Sequence, residues 1–304
     1  MYKIKQSPED FVVEEVTNIE PKDSGPYSYY WMKKKEYTTS KAVEIIARKL
    51  KLKLRQVGYA GAKDKKAITL QLISLKNIKK ERVESLDIKD IELKFHGYGD
   101  TPISLGNLIG NKFRIVVDTD NPVNVEHIKI PNYFGEQRFS TNNPKIGKYI
   151  VKKQFKQAAL LIQGEPRLTR HLEEHPGDYI GALRQIPRRI LLLYVHSYQS
   201  LLWNLTVERM IEKGIEQEKI AIIGFGTEES DINEIMKTIM DNEELTFRDF
   251  IIKQIPAISA EGDLRNMFID TSITVSNYNN TKQILEFQLP KGSYATTVVK
   301  ELYS

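Results

Sequence analysis

The sequence predicts an α+β fold with a helix-rich middle section. Apolar residues alternate with a period of two in the first third and again after residue 262, 3.6-residue spacing dominates between them, and the strands mix with helices rather than repeating strictly. Phe11, Val13 and Glu15 against Val12, Glu14 and Val16 read as a strand covered on both faces at one end. After a polar turn at residues 23–26, Ser40 is placed to cap a helix whose Val43, Ile46, Ala47 and Leu50 share one face. Gly58 and Gly61 permit a tight reversal before Asp64. Ile68, Leu70 and Leu72 against Thr69 and Gln71 then predict a half-buried strand, and Phe113, Ile115 and Val117 another after Gly110. Residues 149–162 are helix-like and 166–181 are punctuated by breakers. Pro187 suits the first turn of a long helix carrying Leu191, Val195, Tyr198, Leu202 and Leu205 and ending before Gly214, and a further helix is expected over 232–240. Ile273 and Val275, then Leu285, Phe287 and Leu289, form a strand pair that must join a sheet elsewhere.

A chain of 304 residues, 40% apolar, can bury a core large enough for two domains. It has no cysteine, which excludes disulfides, thiolate metal sites and cysteine nucleophiles and fits a reducing compartment. No apolar run of about 18 residues and no secretory leader is found, so no membrane association is expected and the Asn204 and Asn279 glycosylation patterns carry no weight. The net charge is +5, yet residues 224–246 hold seven acids and one base, so the remainder is more basic than that figure suggests. Basic clusters at 33–35, 49–55, 63–66, 145–156 and 184–189 attract a phosphate backbone and favour a nucleic-acid partner. Gly224 and Gly226 lack the third glycine of a dinucleotide loop, no phosphate-loop motif exists, and the histidines show no metal-binding spacing. Neither a metal nor a nucleotide cofactor is expected.

The stretch GYAGAKDKKAITLQ, 58–71, sets one carboxylate, Asp64, on a rim among Lys63, Lys65 and Lys66. Neighbouring positive charge favours its ionised form. These residues alone fit a solvated turn acid as well as a working one. GAKDKKAITLQ resembles the GxKDxxAxTxQ signature of the TruD family of tRNA pseudouridine synthases, in which the aspartate is catalytic. KQSPEDFVVEE (5–15), PNYFGEQRFS (131–140) and LPKGSYATTVVKEL (289–302) match further family blocks in the same order, and LGNLIGNKFRIVV (105–117) is similar to the segment that precedes the second of these.

The resemblance implies a pseudouridine-synthase-type mixed, largely antiparallel sheet with flanking helices. The catalytic domain would span 1–148 and 262–304, interrupted by a helix-rich inserted α/β domain at 149–261, in a V-shaped architecture. It implies isomerisation of a tRNA uridine, at position 13 by family, with Asp64 catalytic, Lys5 and Phe11 supporting it, Phe134 stacking on the base and Asn132 hydrogen-bonding in the site. Lys63, Lys65, Lys66, Arg138, Arg184, Arg188 and Arg189 are candidates for RNA contact, and Ser140 departs from a frequent family glycine. A monomeric cytoplasmic enzyme without a cofactor is the expectation. An RNA-binding protein without catalysis, and a metal-dependent nuclease using Asp64 with Glu14 or Glu15, are the alternatives.

Overall fold

The structure is a computed structural model that describes residues 2–140, 142–162, 164–279 and 281–303. The chain divides into two compact units, Met1–Ile130 with Asp270–Ser304, and Pro131–Ile269.

The first unit is built on strands β1 (Tyr2–Lys3), β2 (Phe11–Val16) and β3 (Tyr27–Lys35), helix α1 (Thr39–Leu50), β4 (Val57–Tyr59), β5 (Ile68–Lys76), α2 (Lys80–Glu84), β6 (Ile91–Gly99), β7 (Gly110–Thr119) and β8 (His127–Pro131). The second holds α3 (Asn143–Val151), α4 (Phe155–Leu161), α5 (Pro166–Glu174), α6 (Tyr179–Arg184), α7 (Arg188–Glu212), β9 (Lys219–Ile222), α8 (Glu234–Asn242) and β10 (Asp263–Asn266). Strand β11 (Phe268–Asn279) leads back to the first unit, which β12 (Lys282–Pro290) and α9 (Ala295–Tyr303) complete.

Ten strands form one mixed, largely antiparallel sheet in the order β6-β3-β5-β2-β7-β12-β11-β8, with β1 on β7 and β4 on β5. The expected α+β class is what forms. Only the central β2–β5 pair is described as parallel, and β12 lies antiparallel to β7 along its whole length, Lys282 opposite Asp118 and Pro290 opposite Gly110. The late strand pair therefore joins a sheet begun more than 250 residues earlier.

Helix α1 covers one face of β3 and β5, where Tyr30, Met32, Val43, Ile46, Ala47, Leu50, Ile73 and Leu75 make the core. Its cap is Thr38, not Ser40: the Thr38 hydroxyl accepts the Lys41 amide at 3.2 Å, the bond a β-region N-cap offers. Gly58 is not a turn residue. It lies in β4, and a Cβ there would fall 2.3 Å from the Ile103 carbonyl oxygen, so its smallness serves close packing. On β5 the polar face is covered as well: Thr69 and Gln71 are fully buried, as is Leu72, whereas Ile68 and Leu70 are only partly so, because the strand is central.

In the second unit the long helix arises as expected from Leu191, Val195, Tyr198 and Leu202, all buried. Pro187 is its cap rather than its first residue. The helix-like stretch 149–162 is two helices, α3 and α4, broken at Lys153 with φ +60, and the breaker-rich stretch 166–181 still forms α5 and starts α6. The resemblance implies domain bounds at 148/149 and 261/262; the compact units divide at 130/131 and 269/270, and within the second α3 packs on α7 and β10 pairs with β9.

Candidate active site

Asp64 lies in the segment between β4 and β5, and buried polar side chains from four neighbouring elements brace that segment. The Thr39 hydroxyl, at the start of α1, accepts the Lys63 amide at 2.9 Å and donates to Gln71 Oε1 at 2.8 Å. Gln71 Nε2 in turn donates to the Gly61 carbonyl at 3.0 Å. Lys63 turns inward, its Nζ 2.8 Å from Glu15 Oε2 and 2.7 Å from Asn111 Oδ1, while Glu15 Oε1 accepts the Leu72 amide. Lys34 Nζ donates to the carbonyls of Tyr37 and Asp64 at 2.6 and 3.0 Å. Buried polar groups gain stability only when paired, and this connected set is what a rigid loop with a polar underside requires.

On that support the Asp64 carboxylate stays partly in solvent, its side chain 37% exposed. Lys5 Nζ meets Asp64 Oδ2 at 2.5 Å across 59 residues of sequence. Lys5 adopts a left-handed backbone, φ +56, which a lysine holds only where its surroundings enforce it. Its ammonium also sits 4.0 Å from the centroid of the Phe11 ring. Phe11 is buried edge-on to Phe113, which stacks on Phe287 from β12. The aromatic layer fixes Lys5 from below and Lys5 fixes the acid.

Lys65 and Lys66 are exposed beside Asp64. Lys63 is not available to RNA: with 5% of its side chain exposed and its ammonium engaged by Glu15 and Asn111, it is a structural cation. Glu15 is equally committed, both oxygens being bonded, and Glu14 on the same strand points to the exposed side.

A second grouping forms in the other unit. Phe134 is 7% exposed, and its backbone N–H and carbonyl are clamped by Asn204 of α7 at 3.0 and 3.1 Å. The Arg265 guanidinium lies 4.1 Å from the Phe134 ring centroid and that of Arg138 5.0 Å, and Trp203 meets the ring edge-on at 5.6 Å. Asn132 accepts from Arg265 through both its backbone and side-chain oxygens, at 2.9 and 2.7 Å, and its amide donates to the Asn266 carbonyl. Arg184 and Arg188 are exposed yet each donates to a carbonyl, of Gln254 and Ala257, at 2.7 Å; Arg189 is exposed. In the basic cluster 145–156, Lys148 pairs with Glu243 and Lys152 with the Glu243 and Glu244 carbonyls closing α8, while Lys153 bonds the carbonyls of Val151 and Asp249. These lysines satisfy a helix C-terminus and a turn rather than facing a phosphate.

Sequence reading missed Lys34, Thr39, Asn111, Asn204 and Arg265. Each is a polar residue whose partner is remote in sequence or is a backbone group, so no local spacing announces it.

The family model described as "tRNA pseudouridine synthase D (TruD)" matches residues 2–168, 162–224 and 219–302. A probable tRNA pseudouridine synthase D of Thermococcus onnurineus is 30% identical over 99% of this chain and 94% of its own length, and a tRNA pseudouridine synthase D of Aquifex aeolicus is 28% identical over 99% and 98%. The first alignment runs over 395 positions, so that relative carries insertions which this chain of 304 lacks. A crystal structure described as a tRNA pseudouridine synthase D from Methanosarcina mazei superposes with a TM-score of 0.70 at 26% identity, covering 99% of this chain and 93% of that one. The fold is that of the matched structure, and the relatives are named as tRNA pseudouridine synthases, which are RNA-modifying isomerases. The chain belongs to the TruD family of tRNA pseudouridine synthases.

Proposed function

We propose that this chain isomerises a uridine of tRNA, at position 13, to pseudouridine, with Asp64 as the catalytic residue. The observation that carries the reading is the Asp64 carboxylate, held by Lys5 at 2.5 Å, partly solvent-exposed, on a segment pinned from beneath. In the reaction the N1–C1′ bond breaks, the uracil turns, C5 bonds to C1′, the C5 proton leaves and N1 gains one, so no donor or redox partner enters. A single carboxylate suffices where glycosidases use two, because the uracil anion leaves without an acid to protonate it. Asp64 can act by attacking the sugar, attacking the base or removing a sugar proton, and a fixed ionised oxygen serves all three. Lys5 keeps the acid aimed. The uridine has to leave its stack to be reached, and Phe134 is the ring assigned to receive it. Stacking there shares the ring with Arg265, which makes that guanidinium part of the base site. Asn132 acts in this reading by holding Arg265, and Lys65 and Lys66 by drawing in backbone phosphate. The segments flanking 149–261 form the catalytic part in this reading, a monomer acting in the cytoplasm.

The test is incubation with unmodified tRNA followed by nucleoside analysis and mapping of the modified site. Wild type should form pseudouridine at position 13, and Asp64→Asn should form none while binding tRNA with unchanged affinity. Turnover by Asp64→Asn, cleaved RNA, or a wild type that binds tRNA without modifying it would overturn the reading.

A further inference from the structure

Among the described residues of this region, Lys34 is a buried ammonium held by main-chain carbonyls rather than by a carboxylate. It is fully buried in β3, and both of its acceptors are main-chain carbonyls, Tyr37 O at 2.6 Å and Asp64 O at 3.0 Å. An ammonium so placed is a poor stabiliser, since carbonyl dipoles return less than water does. Burial pushes its pKa down to about 8, against a smaller upward pull from Asp64 and a downward one from Lys63. An apolar side chain of similar length would fill the same space without that penalty. What the lysine does that such a side chain cannot is grip the carbonyl of the acid itself.

We propose that Lys34 is a positioning residue for the isomerisation: its ammonium fixes the peptide plane after Asp64 and thereby the direction in which the Asp64 carboxylate points. The proposal rests on the reading of Asp64 as the catalytic acid. The carbonyl bond acts on the backbone side of Asp64, and Lys5 acts on the carboxylate from the other, so the two lysines hold the residue at both ends. A bond that sets the rotation of one peptide moves a side-chain oxygen by about an ångström when lost, and a misplacement of that size costs on the order of 100-fold in rate.

The experiment compares wild type with Lys34→Met, which keeps length and apolar bulk and removes the donors. Expected is a kcat lower by about 10–100-fold with the tRNA dissociation constant close to wild type and a melting midpoint at neutral pH no lower than wild type. A kcat equal to wild type overturns the proposal, and so does a parallel loss of affinity at unchanged stability, which would put Lys34 in binding. Should Lys34→Met fail to fold, the wild-type pH profile decides. The groups facing Lys34 are Asp64 and Lys63 from the loop, Tyr37 from the turn after β3, and its cross-strand neighbours Thr69 and Ile91. Charge-assisted bonds weaken when the ammonium loses its proton, so single-turnover rates should fall several-fold as pH rises through 8 while tRNA affinity holds; a flat profile overturns the proposal. A wild type that makes no pseudouridine sinks the functional reading itself, whereas an active wild type with an equally active Lys34→Met sinks the Lys34 proposal alone.

Discussion

Replacing Lys63 by methionine separates a structural lysine from an RNA-binding one. The Glu15 side chain is fully buried and its ion-pair partner is Lys63 Nζ at 2.8 Å. Without that ammonium the carboxylate keeps the Leu72 amide at 3.3 Å, and Asn111 Oδ1 loses its 2.7 Å donor. Stranding one charge of a buried pair costs about 3–5 kcal/mol, and the unpaired amide oxygen about 1 more. At about 2–4 °C per kcal/mol for a unit of this size, the melting midpoint of Lys63→Met should fall by roughly 10–20 °C, read by circular dichroism and calorimetry. Glu15→Gln combined with Lys63→Met removes the stranded charge and should regain most of the loss. Well below its melting temperature, Lys63→Met should show the wild-type salt dependence of tRNA binding, whereas Lys65→Ala and Lys66→Ala should each lower the slope by about 1. A Lys63→Met protein that melts with wild type, or a double variant no better than the single, would refute the buried-pair argument.

Two other predictions concern stability. The folded pKa of Lys34, about 8, lies below its ordinary 10.5, so protonation favours the unfolded chain; the penalty is full below pH 8 and is relieved as pH rises from 8 to 10.5. Relative to Lys34→Met, wild type should gain about 3 kcal/mol across that window, seen as a changing difference in melting midpoint. Tyr30, pushed up to about 12 by burial, titrates alike in both proteins and cancels, and a pH-independent difference would contradict the assignment. In the second unit, a Cβ at Gly147 would lie 2.0 Å from the Tyr194 carbonyl oxygen, so Gly147→Ala must push α3 off α7. It should cost about 1–3 kcal/mol; an unchanged melt would show that the two helices separate at little cost.

Much of the fold was legible because its signals are local. The alternation at Phe11–Val16 and the four-and-three spacing from Leu191 to Leu205 are written in the segments that adopt them. The α+β class followed from where such segments lie, and the family blocks put Asp64, Lys5 and Phe134 forward by motif. The failures share one cause. Thr69 and Gln71 read as wet because alternation does not say whether a polar face meets water or other polar groups. Lys63 read as a phosphate contact because a run of lysines does not show which one turns inward toward Glu15, 48 residues away. Within the 145–156 cluster Lys152 misled in the same way, since its acceptors are carbonyls at the end of a helix some ninety residues on.

The position of β12 between β7 and β11 also bears on how the protein comes into being. During translation the strand that completes the middle of the sheet emerges only after the whole second unit has been made, so β7 waits with one edge unpaired for the 161 residues between Thr119 and Thr281, whose backbones hydrogen-bond where the two strands meet. Waiting edges recruit wrong partners. The growing chain therefore carries an open sheet edge until β12 is made, and the ring of Phe287 that backs Phe113, and through Phe11 Lys5, arrives only after the second unit.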